Sequence, residues 1–226
     1  LQFGRRFHTP RVAAALIMLV LSSYLLGSIP TGFLVAKAKG VDIRSVGSGN
    51  IGATNVFRIL GKAAGICVLT ADAMKGAFAV AVIAPAVERM ANWTAPFEGN
   101  LTALAGICAI LGHNYTCWLR FKGGKGIATT AGVFAALAPA AFGIALAAWL
   151  VVFAASRYVS LASIVAAVAL PLAVWLTGNG ALLIGVSTAL GALAIYKHKA
   201  NIERLLAGTE NRIGAKPTEP AEEKKT

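Results

Sequence analysis

Four short stretches of this chain carry side chains able to handle phosphate or another oxyanion, and each lies beside long apolar runs. The first is Gly47-Ser48-Gly49-Asn50-Ile51-Gly52-Ala53-Thr54-Asn55-Val56-Phe57-Arg58. Glycines let a backbone turn sharply and approach a ligand closely. Ser48, Asn50, Thr54 and Asn55 supply hydroxyl and amide groups, and Arg58 supplies a planar fork of donors matched to phosphate. The composition fits one wall of an oxyanion site at the membrane surface; a polar connecting loop with turn glycines is the alternative. The second stretch, Lys122-Gly123-Gly124-Lys125-Gly126, opens a helical run. Consecutive glycines can turn backbone N–H groups inward, and a helix N-terminus adds partial positive charge. Gly123, Gly124, Lys125 and Gly126 are therefore expected to cradle a phosphate; a basic loop that only sets orientation is the alternative. Lys125 is followed by Gly rather than Ser or Thr, so this is no Walker A loop, which argues against an ATPase.

The third stretch is Arg157-Tyr158-Val159-Ser160-Leu161-Ala162-Ser163, with Arg157 a further candidate phosphate ligand. The fourth is Lys197-His198-Lys199-Ala200-Asn201 with Glu203 and Arg204. His198, Asn201 and Arg204 recur every three residues and so share one helical face. His198 could serve as base, hydrogen-bond donor or phosphate ligand. No serine sits in a G-x-S-x-G turn, so a Ser-His-Asp triad has no context here. The three histidines are scattered, and no metal site is expected from them. His113, at the end of an apolar run, reads as a satisfied structural group.

The elements that must position these stretches are membrane helices. The 226 residues are 57% hydrophobic and 13% charged, with a mean hydropathy of +0.71. A soluble domain cannot hide that much apolar surface. The net charge of +12 lies in short loops and a tail beside apolar runs, which fits orientation and phosphate binding rather than nucleic acid. Cys67, Cys108 and Cys117 lie in or beside apolar runs without C-x-x-C spacing and read as structural thiols.

Apolar runs cover about 12–36, 64–87, 101–118, 127–155, 159–176 and 181–196. The first ends in Gly27-Ser28-Ile29-Pro30-Thr31-Gly32, a kinked polar end that should face protein or a cavity, since lipid cannot satisfy freed backbone groups. Residues 50–60 read as a short helix at the interface. Asp72 and Lys75 are three apart inside the second run and should pair toward the bundle interior. Pro139 splits 127–155 into two short helices of about 18 and 24 Å, from the rise per residue. The expected architecture is an all-α polytopic membrane protein with seven membrane helices, some short or broken, the N-terminus outside and the C-terminus cytoplasmic. Sixteen Lys and Arg then fall inside and four outside, with Lys75 in the membrane, as the positive-inside rule favours. The division is an N-terminal segment 1–11, a single membrane domain 12–212 and a disordered charged tail 213–226.

On these motifs the chain resembles the PlsY family of bacterial acyl-phosphate:glycerol-3-phosphate acyltransferases. The carriers are Gly27 to Gly32, Gly47 to Asn55 with Arg58, Asp72 with Lys75-Gly76, Gly112-His113-Asn114, Phe121 to Gly126 and His198 to Ile202. The resemblance implies transfer of an acyl group from acyl phosphate to the 1-hydroxyl of sn-glycerol 3-phosphate, giving lysophosphatidic acid and phosphate. It implies the first acylation of bacterial phospholipid synthesis, in the inner membrane with the site on the cytoplasmic side. No cofactor is implied; the enzyme that produces acyl phosphate is a candidate partner. By the same resemblance Ser48, Arg58, Lys125, Ser163, His198 and Asn201 match essential positions. Ser48 and Asn50 are expected to position substrate or the reacting carbonyl, and His198 and Asn201 to orient glycerol phosphate. Tyr115-Thr116-Cys117-Trp118 departs from the Phe-Pro segment common in the family. A transporter of a phosphorylated metabolite is the rival class, but the outer loops offer few polar groups for an exit path.

Overall fold

The structure is a computed structural model and describes residues 10–91 and 100–214. Most of the N-terminal segment, Glu98 and most of the charged tail lie outside the described residues. All regular structure among the described residues is helical. The elements are α1 (Pro10–Ser28), α2 (Thr31–Ala38), α3 (Ala53–Leu60), α4 (Lys62–Phe78), α5 (Ala84–Met90), α6 (Asn100–Asn114), α7 (Ile127–Leu137), α8 (Pro139–Ser156), α9 (Val159–Leu176), α10 (Ala181–Lys197) and α11 (Lys199–Leu206).

The breaks follow from local chemistry. Pro30 has no N–H to continue α1, and the chain restarts as α2. Two carbonyls freed there are met from other helices. Thr116 Oγ1 donates to the Ser28 carbonyl at 2.6 Å, and Lys75 Nζ donates to the Ile29 carbonyl at 3.2 Å. The kinked polar end therefore faces protein, as expected. A π-helical stretch, Ala79–Ile83, joins α4 to α5 just before Pro85, where the missing N–H and ring bulk disturb regular α geometry. The turn at Pro139 is also present, with Ala138 (φ −147°) between α7 and α8.

Four runs are long and apolar enough to cross a bilayer: Val12–Ala38, Lys62–Met90, Pro139–Ser156 and Val159–Leu176. Ala181–Lys197 and Lys199–Leu206, bent by 57° at His198, make a fifth if taken as one broken span. Ile127–Leu137 is a shorter apolar helix, and α6 has 15 residues.

Helices pack as α1 on α6, α4 on α7, α8 on α9 and α9 on α10, with α3 folded back on α4. The α1–α6 contact depends on Gly27 and Gly112. A Cβ at Gly27 would strike the Ala109 backbone, and one at Gly112 would strike the Tyr24 carbonyl. Small residues let backbones approach where lipid supplies no hydrophobic drive between helices. Phe134, Val133, Ile110, Leu170, Val174 and Leu190 form an apolar cluster shared by α6, α7, α9 and α10. Ile43, Ile51, Val56, Val68 and Leu119 form a second, which holds the 41–52 loop and α3 against α4.

Candidate active site

Asn55 builds the first wall. It is 2% exposed and sits in α3. Its Nδ2 donates to the carbonyls of Ile43, Val46 and Asn50, and its Oδ1 accepts the Ser48 N–H at 2.9 Å. One side chain thus folds the loop back on its own helix and places Ser48. Asn50 Oδ1 accepts the Gly52 N–H at 2.8 Å, a local turn that brings the chain into α3.

The Lys122–Gly126 loop runs along the end of α6. The Gly123 N–H donates to the Asn114 carbonyl and the Gly124 N–H to the His113 carbonyl. These two N–H groups are spent on α6, and neither glycine lines the cavity. The expected cradle of consecutive glycines is corrected on that ground. Gly123 and Gly124 instead allow close contact, because a Cβ on either would strike His113. Gly126 (φ +81°) takes a left-handed conformation that favours glycine and starts α7, and Gly126, Ile127 and Ala128 line the cavity.

His198 is where the last span bends. Its Nδ1 lies 2.7 Å from the Ala194 carbonyl, which can only accept, so Nδ1 carries the proton and a neutral ring presents an unprotonated Nε2. Asn201, one turn into α11, accepts a hydrogen bond from Lys125 Nζ at its Oδ1. Its Nδ2 donates to Glu210 Oε1 at 2.8 Å.

These segments surround one cavity of about 640 Å³, within the range of small-molecule sites. Ser48, Asn50, Arg58, Lys125, Gly126, Ser163, His198 and Asn201 all line it. Further along α7, α9 and α10 from these polar residues the wall is apolar, with Phe134, Leu170 and Leu190. Arg157 does not line it: the residue caps α8 with φ +60° and its side chain is exposed, which corrects its expected place among the phosphate ligands. Ser163 lines the cavity, but its hydroxyl donates to the Val159 carbonyl (2.8 Å) and accepts from the Trp149 indole (3.2 Å).

Glu210 is the residue that sequence reasoning passed over. Glu203, named from its place in the cluster, is exposed, whereas Glu210 is 7% exposed and lines the cavity. Ser160, Asn201 and Arg204 all donate to its carboxylate, the last at 2.7 Å. Burial works to raise the Glu210 carboxyl, but these hydrogen bonds outweigh it and hold it below its usual range. The sequence signal is an acid just beyond a short polar helix in a basic segment. Burial lowers Arg58. Burial also pushes Lys125 down, to about 8; Arg204, Arg58 and Lys197 add to the fall and Glu210 opposes it. Around Lys125 the cations Arg58, Arg204 and Lys197 outnumber the one carboxylate, Glu210, and this favours anions there. Among the described residues no cluster of three His, Cys, Asp or Glu is arranged to hold a metal ion.

Residues 17–208 match the family described as glycerol-3-phosphate acyltransferase. The chain belongs to that family. It is 50% identical over 195 residues to a glycerol-3-phosphate acyltransferase of Geotalea daltonii, covering 86% of this chain and 96% of the relative. It is 52% identical over 200 residues to that of Geobacter metallireducens, covering 88% and 98%. Two crystal structures of PlsY (YgiH), an integral membrane glycerol 3-phosphate acyltransferase, share the fold. The glycerol 3-phosphate form has a TM-score of 0.79 at 42% identity, covering 88% of this chain and 96% of that one. The lysophosphatidic acid form has a TM-score of 0.77 at 41% identity, covering 88% and 95%. The family match takes in each of the cavity residues above except Glu210.

Proposed function

We propose that this chain transfers an acyl group from acyl phosphate to the 1-hydroxyl of sn-glycerol 3-phosphate, giving lysophosphatidic acid and orthophosphate. The observation that carries the reading is the two-ended cavity. Its cationic end, with Lys125 and Arg58, suits phosphoryl groups, and its apolar wall suits an acyl chain. Each substrate has a phosphate, and the donor adds a long apolar tail. The two PlsY structures, one the glycerol 3-phosphate form and one the lysophosphatidic acid form, support the same substrate and product here.

Acyl phosphate is an activated acyl donor, so no protein nucleophile is required. Lys125 and Arg58 hold phosphate oxygens by charge-assisted bonds. His198 Nε2 accepts the hydrogen bond of the 1-hydroxyl and turns an oxygen lone pair toward the acyl carbon. The new C–O bond forms, the bond from acyl carbon to phosphate oxygen breaks, and the hydroxyl proton, taken up at His198 Nε2, is passed on to the departing phosphate. Cations already in place stabilise the charge that develops on the leaving group without reorganisation. The engaged hydroxyl of Ser163 fits this direct transfer, since it is not presented as an attacking group.

The reading places the protein in the bacterial cytoplasmic membrane, with the cavity toward the cytoplasm, N-terminus outside and C-terminus inside. Its support is the charge distribution of the loops. Detergent-purified protein given glycerol 3-phosphate and equal concentrations of acyl phosphate, acyl-CoA or acylated carrier protein tests the donor. Lysophosphatidic acid from acyl phosphate alone is expected; product from acyl-CoA at a similar rate would overturn the donor assignment.

A further inference from the structure

Asp72, Lys75 and His113 form a buried charged cluster between α4 and α6 that the transfer above does not use. They are 2%, 5% and 5% exposed. Lys75 Nζ lies 2.8 Å from Asp72 Oδ1 and 2.8 Å from His113 Nδ1. An ammonium paired with a carboxylate at 2.8 Å has only hydrogens to offer a second partner. His113 Nδ1 must therefore accept, and the ring proton sits on Nε2. The distance from His113 Nδ1 to Asp72 Oδ1, 3.6 Å, is too long for the reverse arrangement, in which Nδ1 donates to the carboxylate.

The other edge of the ring faces the loop that carries Lys125. A Cβ on Gly124 would strike His113 Nε2, so glycine there is what lets the ring edge lie against the loop. His113 and Lys125 line the same cavity. Nε2 makes no hydrogen bond among the described residues. Nε2 is not one of the sealed side-chain atoms left without a partner, so this ring N–H, with a fixed tautomer and no protein acceptor, is a donor open to a ligand.

We propose that His113 is a further binding residue of this site, donating its Nε2 proton to a phosphoryl oxygen held by Lys125. Asp72 and Lys75 are positioning residues: they hold the ring and fix its tautomer. A neutral donor adds a hydrogen bond to the phosphate without adding a third cation beside Lys125 and Arg58. The proposal rests on reading the cationic end of the cavity as a phosphate site.

The test uses full-length protein in detergent at neutral pH, labelled with 15N-histidine, and titrated with orthophosphate. The expected result is a neutral His113 ring protonated at Nε2, whose Nε2 resonance moves as phosphate binds. His113→Asn keeps an oxygen able to accept from Lys75 but lacks the distal donor, and should bind phosphate about tenfold more weakly or worse. Lys125→Met should remove binding altogether. An Nδ1-protonated ring, a His113 resonance unmoved by phosphate that does bind, or native affinity in a folded His113→Asn protein would each overturn the proposal alone. No phosphate binding by the native chain would overturn the cavity reading with it. The resonance measurement needs no variant, so it decides the question even where His113→Asn does not fold.

Discussion

Lys125 Nζ donates to Oδ1 of Asn201, 76 residues further along the chain, and so joins the loop before α7 to the helix after the last span. A neutral amide holds the ammonium in place without cancelling its charge. Asn201→Asp would replace that amide by a carboxylate and satisfy Lys125 internally. The KM for glycerol 3-phosphate should rise at least about thirtyfold, the scale of losing one charge-assisted hydrogen bond. Steady-state kinetics on the purified variant check this, and an unchanged KM would separate Asn201 from phosphate binding.

The pH profile follows from Lys125. Its pKa is lowered to about 8, so the free enzyme has an ammonium there below that pH and a neutral amine above it. kcat/KM should therefore fall as pH rises through about 8. Bound phosphate favours the charged form, so the same limb in kcat should lie at higher pH. Lys125→Arg cannot titrate in this range and should lose the alkaline limb whatever its absolute rate. A native profile flat from pH 7 to 9.5 would contradict the assignment.

Arg58 and Arg157 should behave oppositely. Arg58 lines the cavity and Arg157 does not. Arg58→Lys should lower kcat/KM by about tenfold or more, because a point charge does not replace a planar fork of donors. Arg157→Ala should stay within about twofold of native, as expected for an exposed side chain away from the site. The two variants assayed side by side give the comparison.

Glu210→Ala should act on stability as well as rate. It leaves Arg204, Asn201 and Ser160 without their shared acceptor in a buried site. Breaking such a buried network costs about 3 kcal/mol. A shorter half-life of the folded protein in detergent is the measurement, with Glu210→Gln intermediate. The Glu210 carboxyl is held below its unfolded value, so its contribution is present above that value and lost as pH falls through the folded one.

Much of this was legible in the sequence because it follows from local rules. Pro30 and Pro139 mark helix breaks that both stand where the sequence put them, whereas Pro171 is carried inside α9. Val159–Leu176 follows from an apolar run between turn signals. The Asp72–Lys75 pair follows from helical spacing and the cost of lone charges in a membrane. What escaped depends on how distant segments meet. The N–H groups of Gly123 and Gly124 read as a cradle until α6 is seen to take both. Arg157 has the right side chain, but its left-handed cap at the end of α8 leaves it exposed and off the cavity. Glu210 and Glu203 are alike in sequence; only packing against Ser160 of α9 makes Glu210 the buried partner of Arg204. His113 reads as a satisfied structural group, and its 2.8 Å contact with Lys75 of α4 agrees with that; the donor role proposed for its other edge has no signal in its own segment.

The most direct measurement is release of orthophosphate from acyl phosphate by purified protein, with and without glycerol 3-phosphate, alongside the lysophosphatidic acid formed. Transfer in a single step predicts phosphate release only when glycerol 3-phosphate is present, with one lysophosphatidic acid for each phosphate. Release at the same rate without the acceptor, and no lysophosphatidic acid, would contradict it.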